Sequence, residues 1–137
     1  WVISAERMKA KKEHRVPLTD EAIEILEGMM GLDDSFVFQG QKRGKGLSNM
    51  AMAQLLKRIG HGDVTVHGFR SSFRDWAAER SGMPREIAEL SLAHDVGNAV
   101  ERAYRRSDLI DKRRELMEMW ESHCGAKANS VLKLVKQ

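Results

Sequence analysis

The 137-residue sequence predicts an α+β fold, mostly helical, with a small antiparallel β-sheet at its N-terminal side packed on a helical core. Three observations predict it. A hydrophobic fraction of 42% gives a chain of single-domain length enough apolar surface for one core. The first seventeen residues place β-branched positions on either side of a basic stretch and end at a proline. From Ser48 onward, apolar residues recur at three- and four-residue spacing, the signature of helices with one buried face.

The opening segment WVISAERMKAKKEHRVPL reads as strand, basic turn and strand. Val2 and Ile3 begin it, Arg7 falls in the first strand, and Val16 precedes Pro17, which favours extended backbone. Thr19 is placed to cap a helix whose first turn holds Asp20 and Glu21 near the positive end of the dipole. Ala22, Ile23, Leu26, Met29 and Met30 form its apolar stripe, and Gly31 is the expected stop. Ser35 to Gln39 is a candidate third strand, and GQKRGKG (40–46) a mobile loop. Ser48 is placed to cap a helix running to about Ile59, ahead of Gly60 and Gly62. A helix over 67–81 aligns Phe69, Phe73, Trp76 and Ala77 and ends at Gly82. Pro84 opens the next helix, with Ile87, Leu90 and Leu92 as buried positions. After a turn at Asp95-Val96-Gly97, helices are expected over 98–106 and 108–122. The core choices are Phe69, Phe73, Trp76, Leu90 and Trp120. Residues 1–124 form the domain, and 125–137 a separate tail with Val131, Leu132, Leu134 and Val135 among lysines.

No apolar run reaches the roughly 20 residues that cross a bilayer, and with no basic-then-apolar stretch ahead of a small-residue cleavage site, secretion is not expected. A single cysteine, Cys124, fits a reducing compartment such as the cytoplasm. The chain opens on Trp1 rather than Met, so it is expected to be a piece of a longer protein. Net charge is only +3, but its arrangement is uneven. Residues 18–34 hold six acidic groups and no Lys or Arg, whereas basic groups collect at Arg7, Lys9, Lys11, Lys12 and Arg15, at Lys42, Arg43 and Lys45, at Arg102, Arg105 and Arg106, and at Lys112, Arg113 and Arg114. Brought to one face, those segments would attract a polyanion.

No Gly-rich phosphate loop and no zinc-ligand spacing occurs, and Asp33-Asp34 lacks the further carboxylates a magnesium site needs. What remains is a spread of cations and one tyrosine. His67 and Arg70 are three residues apart at a helix start, His94 precedes a turn, and Tyr104 sits in Ala-Tyr-Arg-Arg. Singly, each has an ordinary reading as a surface pair, a helix-end histidine or a core-edge tyrosine. Together they supply a nucleophile, cations for developing phosphoryl charge and a proton donor.

In this combination the sequence resembles the catalytic domain of tyrosine recombinases, the phage integrase family, and is closest to integrases of prophages and genomic islands. The carrying segments are AERMKAKKEHRVPL, VTVHGFRSSFRDWA and LAHDVGNAVERAYRRSD, in the family's order and spacing over roughly residues 1–120. The resemblance implies an active site of two arginines, a lysine, two histidines (or a histidine and a tryptophan) and the tyrosine. Tyr104 matches the nucleophile, Arg70 the second arginine, His67 the histidine before it and His94 the second histidine. Lys9 best matches the lysine general acid, with Lys11 and Lys12 close by. The family's first arginine lies upstream of the first strand and has no counterpart here, nor has the DNA-clamping domain. The resemblance further implies cleavage and rejoining of double-stranded DNA at attachment sites through a 3′-phosphotyrosyl intermediate. It implies no metal and no nucleotide cofactor, a homotetramer on DNA, and a tail that docks on a neighbouring subunit. DNA contacts are expected at Lys11, Lys12, Lys42, Arg43, Lys45, Arg105 and Arg106. The competing readings are a non-catalytic helical DNA-binding module and, resting on the tail alone, a scaffold protein.

Overall fold

A computed structural model describes residues 1–42, 44–98 and 107–135, the stretch 126–135 as backbone. The chain divides into two compact units, Trp1–Thr19 with Phe73–Gln137, and Asp20–Ser72. Arg43, Arg102, Tyr104, Arg105, Arg106 and nearly all of the helix expected over 98–106 lie outside the described residues.

In the first unit, β1 (Val2–Ile3) pairs antiparallel with β2 (His14–Arg15), Val2 opposite Arg15 and Ile3 opposite His14. The Val16 N–H donates to the Trp1 carbonyl at 2.7 Å, which carries the pairing to the chain start. Arg7 is not in a strand: it ends a one-turn 3-10 helix, Ala5–Arg7, that lifts the chain out of β1. The sheet has two strands among the described residues, not three. In the segment expected as the third, the Asp33 carboxylate accepts from the N–H groups of Ser35 (2.8 Å) and Phe36 (3.0 Å). Those donors are thereby lost to a ladder, and only an isolated bridge from Gln39 to Gly46 forms.

The core of this unit is built by three helices. The two C-terminal turns of α3 (Gly68–Arg80) supply Phe73, Trp76 and Ala77; α4 (Arg85–Ser91) supplies Ile87 and Ala88; α5 (Ile110–Val135) supplies Leu116, which is fully buried. Met83, Leu92, Leu109, Met117, Met119 and Trp120 pack around them. Trp120 meets Phe73 edge-on at 5.5 Å and Trp76 at 5.0 Å, the tilted geometries that aromatic quadrupoles prefer. Gly82, with φ of 66°, makes the left-handed turn between α3 and α4. α5 continues through Gly125, where the sequence predicts a break. A lone glycine costs a helix only about 1 kcal/mol, and here it keeps helical backbone.

The second unit holds α1 (Asp20–Gly28), α2 (Ala51–Arg58) and the first turn of α3. α2 starts three residues after Ser48, whose backbone carbonyl, not its hydroxyl, accepts from Ala51 (3.0 Å). The 40–46 loop is tight: Gly40 donates to the Lys45 carbonyl at 2.7 Å, and a Cβ at Gly46 would lie 2.7 Å from the Phe36 ring. No residue of α1 or α2 is buried, and Phe69 is 54% exposed despite its place in the aromatic stripe. Helical spacing defines an apolar face; it does not name what covers it. Among the described residues no helix is long and apolar enough to cross a membrane.

These burials reverse the expected ranking, with Leu116 fully buried and the core choice Phe69 54% exposed. Leu116→Ala is expected to cost about 2–5 kcal/mol of unfolding free energy. Phe69→Ala is expected to cost under about 1 kcal/mol, since little apolar area is removed from water there. Urea unfolding of the 137-residue chain checks both, and equal losses would contradict the packing described.

Candidate active site

The first unit assembles its polar residues where the β1–β2 connection approaches the end of α4. The connection is basic and tightly folded. Met8 accepts from the Lys11 N–H at 3.0 Å, and Lys11 takes a left-handed φ of 53°. Lys9, Lys11 and Lys12 are all exposed on it, as the sequence expects of a cationic turn. Lys12, with His14, Arg15, His94, Asp108 and Arg113, lines a cavity of about 260 Å³; Lys9 does not line it.

His94 reaches that cavity through the way α4 ends. Ala93 adopts φ of 55°, its N–H donates to Leu90 O (3.1 Å), and the His94 N–H donates to Glu89 O (2.9 Å). These two bonds are the paired closures of a Schellman motif, which normally places glycine at the left-handed position. Ala93 there carries a strain of roughly 1–2 kcal/mol. The Glu89 side chain also holds His94: its Oε2 lies 2.5 Å from the imidazole Nδ1. The Glu89 Oε1 accepts from Arg74 Nε of α3 at 2.8 Å and is 3.4 Å from Arg85 Nε. Glu89 is only 9% exposed. Its bond to His94, reinforced by both arginines, outweighs burial and pushes its carboxyl down to about 2.

A second ionic cluster borders the same cavity. Arg15 of β2 forks onto Asp108, Nε to Oδ2 at 2.8 Å and Nη2 to Oδ1 at 2.6 Å. That contact lowers the Asp108 carboxyl and raises the Arg15 guanidinium. Arg113, 2% exposed on α5, reaches the same place from below. Its Nη2 donates to the Arg15 carbonyl and lies 3.4 Å from His14 Nε2, and its Nη1 is 3.7 Å from Asp108 Oδ2. Its Nε meets no acceptor among the described residues, and burial lowers its pKa. The strand carrying the basic turn is therefore tied to the start of α5 by three charged groups.

His67 and Arg70 stand in the second unit and are described within it. Thr65 Oγ1 accepts from the Gly68 N–H at 3.0 Å, which starts α3 one residue after His67. His67 is exposed ahead of the helix, and Arg70 is half-buried in its first turn. Lys42 and Lys45 are exposed in the 40–46 loop. The structure thus brings His94 and Lys12 to one cavity and keeps Lys9 and Lys11 on the turn beside it.

Glu89, Arg74, Arg15, Asp108 and Arg113 were not among the site residues expected from the sequence. Two of them leave a trace there. Glu89 is an acid inside the apolar run Ile87-Ala88-Glu89-Leu90, and Arg113 occupies the i+4 position between Leu109 and Met117 on a buried stripe.

The sequence profile of the phage integrase family matches residues 1–109. The chain is 40% identical over 124 residues to the prophage integrase IntA of Escherichia coli K12, covering 88% of this chain and 30% of that protein. It is 35% identical over 123 residues to the integrase of Shigella phage Sf6 (86% and 32%), and 34% identical over 123 residues to the Escherichia coli K12 prophage integrase IntS (86% and 32%). The chain thus spans about a third of the length of these relatives. No solved structure matches it.

The depressed Glu89 carboxyl makes a prediction about acid stability. Its folded-state pKa of about 2 lies below the ordinary 4.5, so its contribution is complete above pH 4.5 and is lost as pH falls through 2. The loss amounts to on the order of 3 kcal/mol at most. Urea midpoints of the 137-residue chain should fall across that window, and Glu89→Gln should flatten the fall while lowering stability at pH 7. Parallel acid profiles for the two chains would contradict the assignment.

Proposed function

The chain belongs to the phage integrase family, and we propose that it is the catalytic part of a site-specific DNA recombinase that integrates and excises a mobile element. The observation that carries this reading is the meeting of Lys12 and His94 at one cavity within a region matched by the family profile. Cations and an imidazole at a water-accessible cavity suit a DNA phosphodiester, whose non-bridging oxygens gain charge as phosphorus is attacked.

In the proposed reaction the Tyr104 hydroxyl loses its proton and attacks phosphorus. The Tyr–O–P bond forms as the bond from phosphorus to the 5′ oxygen breaks, leaving a 3′-phosphotyrosyl link and a free 5′ hydroxyl. The leaving oxygen takes its proton from a lysine of the β1–β2 turn, either Lys9 or Lys12. Arg70, His67 and His94 hold the phosphoryl oxygens. Rejoining reverses the step with a new 5′ hydroxyl as nucleophile, so the energy of the phosphodiester is conserved without a nucleotide. Lys11, Lys42, Arg43, Lys45, Arg105 and Arg106 contact the DNA backbone. A tetramer on two duplexes, with residues 125–137 docked on a neighbouring subunit, completes the proposal.

The test is a covalent trap. Incubation of the full-length protein with a nicked attachment-site duplex should yield a DNA adduct whose modified peptide maps to Tyr104. Tyr104→Phe should abolish the adduct while DNA binding stays within about twofold. Unchanged cutting by Tyr104→Phe would remove Tyr104 from the mechanism, and absence of any adduct would favour a module that only binds DNA.

A further inference from the structure

We propose that Glu89 is the positioning residue of His94: it fixes the ring's orientation and sets which of its nitrogens carries the proton. The role rests on the reading of His94 as a phosphate-facing group. Three contacts define it. The His94 backbone N–H is bonded to the Glu89 carbonyl at 2.9 Å, so the residue's place after α4 is set by Glu89 itself. The imidazole Nδ1 is 2.5 Å from Oε2 of the same residue. The other carboxylate oxygen is taken by Arg74 Nε at 2.8 Å, which stops the carboxylate from rotating. An ionised carboxylate only accepts hydrogen bonds, so Nδ1 must be the donor. The opposite nitrogen, Nε2, is then an acceptor in the neutral ring and a donor in the cation. A buried carboxylate behind an imidazole performs the same service for histidines in hydrolases and metal sites, where it fixes tautomer and aim. Arg74 and Arg85 both lie against the same carboxylate oxygen, which leaves Oε2 to the imidazole.

Two measurements test it. Long-range nitrogen–proton correlation spectra of the 137-residue chain at pH 8 should show His94 protonated at Nδ1. The isosteric variant Glu89→Gln should show a mixture of tautomers. Ile87→Val, which thins the core under α4 without touching the carboxylate, should leave the His94 signals unmoved. In the full-length protein, Glu89→Gln should slow single-turnover DNA cleavage by about 10- to 100-fold while affinity for the site stays within twofold. An Nε2-protonated His94 in the unaltered chain, or equal spectral changes in Glu89→Gln and Ile87→Val, overturns the proposal. Altered tautomers with cleavage unchanged in both Glu89→Gln and His94→Gln overturn instead the catalytic reading of His94, and with it the role given to Glu89.

Discussion

A carboxylate buried on the packed face of a helix, beside Ile87 and Ala88, must be neutralised and bonded, and the way Glu89 meets that requirement organises the first unit. Its partners come from three places in the sequence: Arg74 on α3, Arg85 at the start of α4, and His94 beyond the end of α4. Satisfying one charge therefore aligns two helices and pins the segment that follows them. The carboxylate is the buried member of the group and its three partners reach solvent, so the cost of losing a partner falls on Glu89. The strained left-handed Ala93 is a local expression of the same constraint, because only that turn lets His94 return to Glu89 with both backbone and ring.

The basic turn is held by a separate framework of the opposite polarity. Arg15 and Arg113 converge on Asp108, and Arg113 also supports the β2 backbone from inside the core. Arg15 is exposed and Arg113 buried, and the cavity they border sets Lys12, Arg15 and Arg113 among Glu13, Asp95 and Asp108, so its cations are held in place by neighbouring carboxylates. Glu89 fixes the histidine side of the cavity, and Asp108 fixes β2, the strand that follows the lysine-bearing turn. The aromatic contacts of Phe73, Trp76 and Trp120 belong to the hydrophobic core of the same unit.

The elements legible in the sequence were those fixed by local chemistry. The ends of the hairpin follow from β-branched residues and Pro17, the start of α4 from Pro84, and the end of α3 from Gly82. The misread ones depend on choices made elsewhere in the chain. Ser35 and Phe36 could have entered a ladder had Asp33 not captured their N–H groups. Phe69 has the right spacing for the core but falls one turn before the packed part of α3. His94 was legible as a candidate because histidine in that sequence setting is chemically conspicuous. The group that aims it was not, since Glu89 reads as an ordinary helix acid until Arg74, fifteen residues earlier, is brought beside it. That Lys12 and not Lys9 lines the cavity was not legible either, since the turn that carries them has a left-handed residue at Lys11 and periodicity carries no information about such a turn.

The central claim is that the cavity bordered by Lys12 and His94 receives a DNA phosphate. Titration of the isotopically labelled 137-residue chain with a short duplex, followed by nuclear magnetic resonance, tests it most directly. The account predicts that the signals of His94 and Lys12 shift with added DNA, and that the shifts collapse as salt rises because phosphate contacts release counterions. Saturation of the chain with DNA while His94 and Lys12 remain unmoved would contradict it.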